Sequence, residues 1–295
     1  MKHALPGLVV LFTVAVIAGA ACRRQPAVEI RFAPASSPPI DFARLNHELP
    51  LSVDELEALT PGQFADFTQE QVDQVYARLT AGPIPDGAYD GVLFFPRGSD
   101  GDTRLGEILG GRLTSRLGNI AVHMTEFFSR TLWKGKVFYR SQRLVRNRIE
   151  DLALLAALVG GDTPGIEKIS VAGRDTFLLF PARLYCGQSL LDGRRESIVM
   201  DYAFTDALPG YREKPDALAG RSGLHLRDEM RMIRPGFYLG RAYMDRVFAL
   251  NFTLLNSDAR DARDAREAAS EGAADFRAGR IQEECWIGSQ KVARR

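Results

Sequence analysis

Residues 225–255 read HLRDEMRMIRPGFYLGRAYMDRVFALNFTLL, and the placement of their charges decides the fold. Apolar and aromatic runs broken at Pro235–Gly236 and Asp245–Arg246 predict three antiparallel strands joined by tight turns. Side chains on a strand alternate between faces with a period of two. A symmetric turn at Pro235–Gly236 sets Met232 opposite Leu239, Met230 opposite Arg241 and Asp228 opposite Tyr243. In this register Asp228, Met230, Met232, Leu239, Arg241 and Tyr243 share the apolar face, while Arg227, Glu229 and Arg231 make a solvated row. The turn at Asp245–Arg246 sets Tyr243 against Phe248, Arg241 against Leu250 and Leu239 against Phe252, which agrees. Asp228 and Arg241 are therefore expected inside the core, as diagonal neighbours.

Outward from this hairpin, the chain from Asp175 to Asn256 is a succession of strand patterns. A turn at Asp192–Gly193 would set Tyr202 and Met200 against Arg183 and Tyr185, adding these to the interior and turning Cys186 outward. The expected fold is α+β, an antiparallel meander forming a lipocalin-like barrel or curved sheet with packed helices. It would be a single domain over residues 47–256 with a helical N-terminal part over 47–80. LSVDELEALT and PGQFADFTQEQVDQVYARLT (51–80) have helical spacing, and Ser52 with Glu55 forms a capping-box pattern. Helical periodicity also covers 105–132 and LVRNRIEDLALLAALV (144–159), with strand alternation in LWKGKVFYR (132–140). Residues 257–295 repeat Asp-Ala-Arg with few large apolar side chains, the pattern of a charged, solvated helix.

The chain balances 38 basic against 37 acidic residues, so it carries no electrostatic footprint for nucleic acid. Residues 1–21 have a basic start and an apolar run ending in small residues, the pattern of a signal peptide. Gly19-Ala20-Ala21-Cys22 resembles a bacterial lipobox, with Gly19 where Leu is usual. That resemblance implies a lipid on Cys22 and, with Arg23 following, an outer-membrane anchor facing the periplasm. Cleavage after Ala20 or an uncleaved anchor are the alternatives. The Pro- and Ser-rich residues 22–46 would then be a tether. In an oxidising compartment Cys186 and Cys285 make an even pair available for a disulfide; two separate buried thiols are the alternative.

Neither the four histidines nor any glycine-rich loop has the spacing of a metal, nucleotide or nucleophile motif, so no cofactor and no metal is implied. Trp133-Lys-Gly-Lys-Val-Phe138, the LDGRRESIVMDY block (191–202) and RDEMRMIRPGFYLG (227–240) resemble blocks shared by a bacterial family of uncharacterised function. The resemblance spans residues 80–256 and implies no catalytic residue. More loosely the chain resembles lipocalin-type and GXWXG-type small barrels, which bind apolar molecules. The leading expectation is thus a lipid-anchored envelope protein binding an apolar or amphiphilic small molecule. Its interior would offer Arg183, Tyr185, Tyr202, Asp228, Arg241 and Tyr243. An enzyme using Asp228 and Arg241, or a non-catalytic envelope scaffold, are the alternatives.

Overall fold

The computed structural model describes residues 29–35, 40–99, 133–151, 153, 165–256 and Cys285. The expected signal peptide with Cys22, the helical pattern over 105–132 and the charged C-terminal segment apart from Cys285 lie outside the described residues. Nine strands follow one another as β1 (Gly87–Phe94), β2 (Trp133–Tyr139), β3 (Leu144–Ile149), β4 (Lys168–Val171), β5 (Arg174–Gln188), β6 (Glu196–Asp201), β7 (Leu226–Arg234), β8 (Phe237–Met244) and β9 (Val247–Leu255). All pair antiparallel in the order β3-β2-β1-β9-β8-β7-β6-β5-β4, and β3 also pairs with the long β5. That last pairing closes eight strands into a barrel and leaves β4 as a flap on β5. Closure removes the unpaired strand edges that an open sheet would expose.

Three short helices cover one side of the barrel: α1 (Phe42–Glu48), α2 (Val53–Ala58) and α3 (Gln69–Arg78). Each starts where a side chain satisfies the free amides of the first turn. Asp41 caps α1, Ser52 with Glu55 caps α2 and Thr68 with Gln71 caps α3. Pro61 opens a 3-10 turn between α2 and α3, so the second helical pattern is broken in two. Phe64, Val72, Val75 and Tyr76 bury against Phe94, Ile233, Phe237 and Leu239 on the outer barrel face. A second cluster, including Tyr89, Trp133, Met200, Met230 and Phe252, packs inside the barrel itself. Residues 29–35, within the stretch expected as tether, lie against α3: Ala33 exchanges hydrogen bonds with Gln74, and Arg78 donates to the Arg31 carbonyl.

Two expectations are corrected here. Leu144–Ile149 is a strand, not the start of a helix, and all its residues are buried. The symmetric registers also fail. The β7–β8 turn begins as expected, Arg234 opposite Phe237, but Ile233 is bulged out and Met232 then faces Tyr238. From there Asp228 pairs with Ala242 and Arg241 with Glu229. The β8–β9 pair slips likewise: Tyr243 faces Phe248, but Ala242 faces Leu250 and Arg241 faces Asn251. Between β5 and β6 the chain does not close at Asp192–Gly193, and Arg183 lies opposite Asp201 instead of Tyr202. A slip of one residue sends a side chain to the other face of the sheet.

Candidate functional site in the barrel interior

The corrected registers divide the expected site residues among three places. Tyr202 and Asp228 point into the barrel, 3.1 Å apart between the phenol and Oδ2. Arg241 and Tyr243 are buried on the outer face beneath α3, where Arg241 bonds to the Tyr243 hydroxyl and to Asp73. Arg183 and Tyr185 are on the outside of the barrel, bonded to the Phe204 carbonyl and to Asp201 respectively. Arg241, Tyr243, Arg183 and Tyr185 are therefore not part of an interior site. Cys186 faces inward beside Ile198, not outward, and is joined by a disulfide to Cys285, itself buried in the interior cluster.

The charges of the outer cluster are paired within the fold. Arg231, expected in a solvated row, is completely buried and binds the Tyr76, Asp192, Arg195 and Glu196 carbonyls with Asp192 and Ser197 side chains. Glu229, also fully buried, accepts from the Leu190 amide and Arg227. Arg241 lies 4.2 Å from the Phe248 ring centroid. Beside Asp73 its guanidinium pKa is raised although burial lowers it. These charges fasten α3 and the β5–β6 connection to the barrel wall.

Inside, the partner of Asp228 is Lys136. Its ammonium donates to Asp228 Oδ2 at 2.8 Å, the Tyr202 hydroxyl at 2.7 Å and Asn147 Oδ1 at 2.8 Å. The rings of Trp133, Tyr202 and Phe252 stand 5.5–5.6 Å from the same nitrogen, close enough for cation–π attraction. Asn147 in turn accepts from the Trp133 indole at 2.9 Å. Burial lowers the Lys136 pKa, against the opposing pull of Asp228. Burial also raises the Tyr202 pKa well above normal, and the nearby Asp228 charge adds to this. At neutral pH the phenol therefore stays a hydrogen-bond donor.

A β-bulge brings Trp133 and Lys136 together. Residues three apart on a regular strand point to opposite faces, but the β2–β3 register shifts between Trp133 and Gly135 and turns both inward. Gly135 has φ +127°, and a Cβ there would sit 2.0 Å from the Tyr89 carbonyl oxygen. Gly91 leaves the space that the Trp133 ring occupies, since its Cβ would lie 2.3 Å from that ring. The Trp-x-Gly-Lys block carried this signal, but strict alternation hid it.

The Lys136–Asp228 network forms the polar part of a pocket whose remaining lining is mainly apolar, with Leu93, Leu226, Met244, Leu250 and Phe252. The cavity measures about 30 Å³. Among the described residues no cluster of His, Cys, Asp or Glu is arranged to hold a metal. No family model and no curated protein matches the chain. A crystal structure of a protein from Thermomonospora curvata is similar at 17% identity and a TM-score of 0.34, covering 67% of this chain and 93% of that one. A similarity of that size carries no functional argument.

Proposed function

We propose that this protein is a lipid-anchored envelope protein whose barrel binds a small, largely apolar molecule, with the polar end of that molecule at Asp228. The observation that carries this reading is an ion pair buried in the polar part of an otherwise mainly apolar pocket. Desolvating two such ions costs several kcal/mol, and an apolar pair would often be as stable. Apolar walls with a few converging polar groups are the usual composition of a ligand site. The enzyme reading that paired Asp228 with Arg241 has lost its geometry, because the barrel wall separates them.

The test is native mass spectrometry of the exported full chain beside Ala242→Leu, a variant that fills the pocket at a lining position. A small-molecule adduct on wild type that is absent from the variant supports the reading. Wild type without an adduct would refute it. The modest cavity favours one other reading, a filled barrel acting as an envelope scaffold. In that case Ala242→Leu fills empty space and leaves stability equal or higher, with no adduct on either protein.

A further inference from the structure

The hydrogen-bond inventory of the interior network defines what the pocket can recognise, provided that the interior is the binding pocket proposed above. Lysine has three donors, and all three are used, on Asn147, Tyr202 and Asp228. The Tyr202 hydroxyl accepts from Lys136 and from Asn147 Nδ2, and donates to Asp228 Oδ2, which exhausts it. Asn147 Oδ1 accepts from Lys136 and Trp133, while its Nδ2 serves Tyr202 and the Phe180 carbonyl. Asp228 Oδ2 accepts from both Lys136 and Tyr202. Among the described residues nothing donates to Asp228 Oδ1. Asp228 is 7% exposed and lines the pocket.

Among the described residues the side chains of this network therefore present one unused acceptor and no unused donor. Its charge is also balanced, since the ammonium and the carboxylate cancel. An anionic head would enter with no donor to meet it and no net positive charge to offset its desolvation. A cation would reach a carboxylate already neutralised by Lys136 and would be repelled by that ammonium. We infer that the pocket selects a neutral molecule whose polar end is a hydrogen-bond donor, an apolar alcohol, with its hydroxyl on Asp228 Oδ1.

Isothermal titration of the full chain with four eight-carbon probes tests this: octan-1-ol, octanoate, octylammonium and dibutyl ether. Octan-1-ol should bind, and each of the others should bind at least about tenfold more weakly, the effect of losing a hydrogen bond to a charged group. Octanoate or octylammonium binding as tightly as the alcohol would overturn the inference and leave the pocket reading intact. Equal binding of dibutyl ether would show that Oδ1 plays no part and would also overturn it. If none of the four binds, the pocket reading itself fails and the inference fails with it. Ala242→Leu should remove the octan-1-ol signal; its persistence would place the alcohol elsewhere and refute the assignment.

Discussion

Lys136→Met removes three hydrogen bonds at once and leaves the Asp228 carboxylate buried with only the Tyr202 phenol for support. Breaking a buried pair from one side typically costs about 3–5 kcal/mol. The expected result is a urea midpoint lowered to match, with more than half of the loss recovered in the Lys136→Met, Asp228→Leu double variant. A single variant as stable as wild type would remove Lys136 from the interior. Asp216 behaves differently. Its buried carboxylate accepts from the Phe180 and Arg212 amides, yet burial outweighs these bonds and lifts its pKa to about 6. A raised carboxyl pKa means that the folded state binds the proton more tightly than the unfolded state. The resulting stability is present below about pH 4 and is lost as pH rises through about 6, to the extent of about 3 kcal/mol. Subtracting the denaturant midpoints of Asp216→Asn from those of wild type across pH 4–7 should isolate this slope. A flat difference would contradict it. At this scale simple alternation puts Tyr202 and Asp228 inside, where they are, and misplaces Arg241, Tyr243, Arg183 and Tyr185. Lys136 and Asn147 escaped notice, because a lysine in an alternating strand reads as solvent-facing and an asparagine in a helical pattern reads as nothing.

The same errors have a single cause among the strands. Each hairpin near the site departs from simple alternation, by a bulged Ile233, by an extra residue at Ala249 and by a loop longer than two residues between β5 and β6. The strands of the meander, the tight turns at Pro235–Gly236 and Asp245–Arg246 and the Ser52 capping box were legible, because local propensity and turn chemistry specify them. Bulges depend on neighbouring strands and leave no mark in hydrophobic period alone. Both symmetric registers agree on Arg241 because each omits one bulge, at Ile233 and at Ala249. Arg231 keeps the outward face that alternation gives it and is buried for another reason: the outer face of β7 is a docking surface for α3. Its guanidinium holds the Tyr76 carbonyl near the end of that helix and the carbonyls of Asp192 and Arg195. Arg231→Met should therefore cost about 3–5 kcal/mol and do so unevenly. By hydrogen-exchange mass spectrometry, residues 69–78 should lose protection before the strands do. Uniform loss across the barrel would show that Arg231 does not serve α3 in particular.

At the scale of the whole molecule, the Cys186–Cys285 bridge joins positions 99 residues apart and draws Cys285 into the barrel interior. Cross-linking across such a span restricts the unfolded chain, typically by about 2–4 kcal/mol of stability. That gain exists only where thiols oxidise, so the fold and the proposed envelope location depend on each other. Residues 1–21 would direct export and Cys22 would carry the lipid, and the two steps can be separated. Cys22→Ser should leave the membrane fraction and lose labelled fatty acid, yet keep the bridge, because the protein still reaches the oxidising compartment. A chain lacking residues 1–21 should stay in the reducing cytoplasm with both thiols free and melt roughly 5–15 °C lower. Fatty-acid labelling with membrane fractionation reads the first step, and peptide mapping without reductant reads the second. Wild type that is unlabelled and free of membranes would end the proposal of an anchor while leaving the barrel untouched. Free thiols at both cysteines of the exported protein would separate the C-terminal segment from the barrel. Cys285 would then have no covalent hold on the interior.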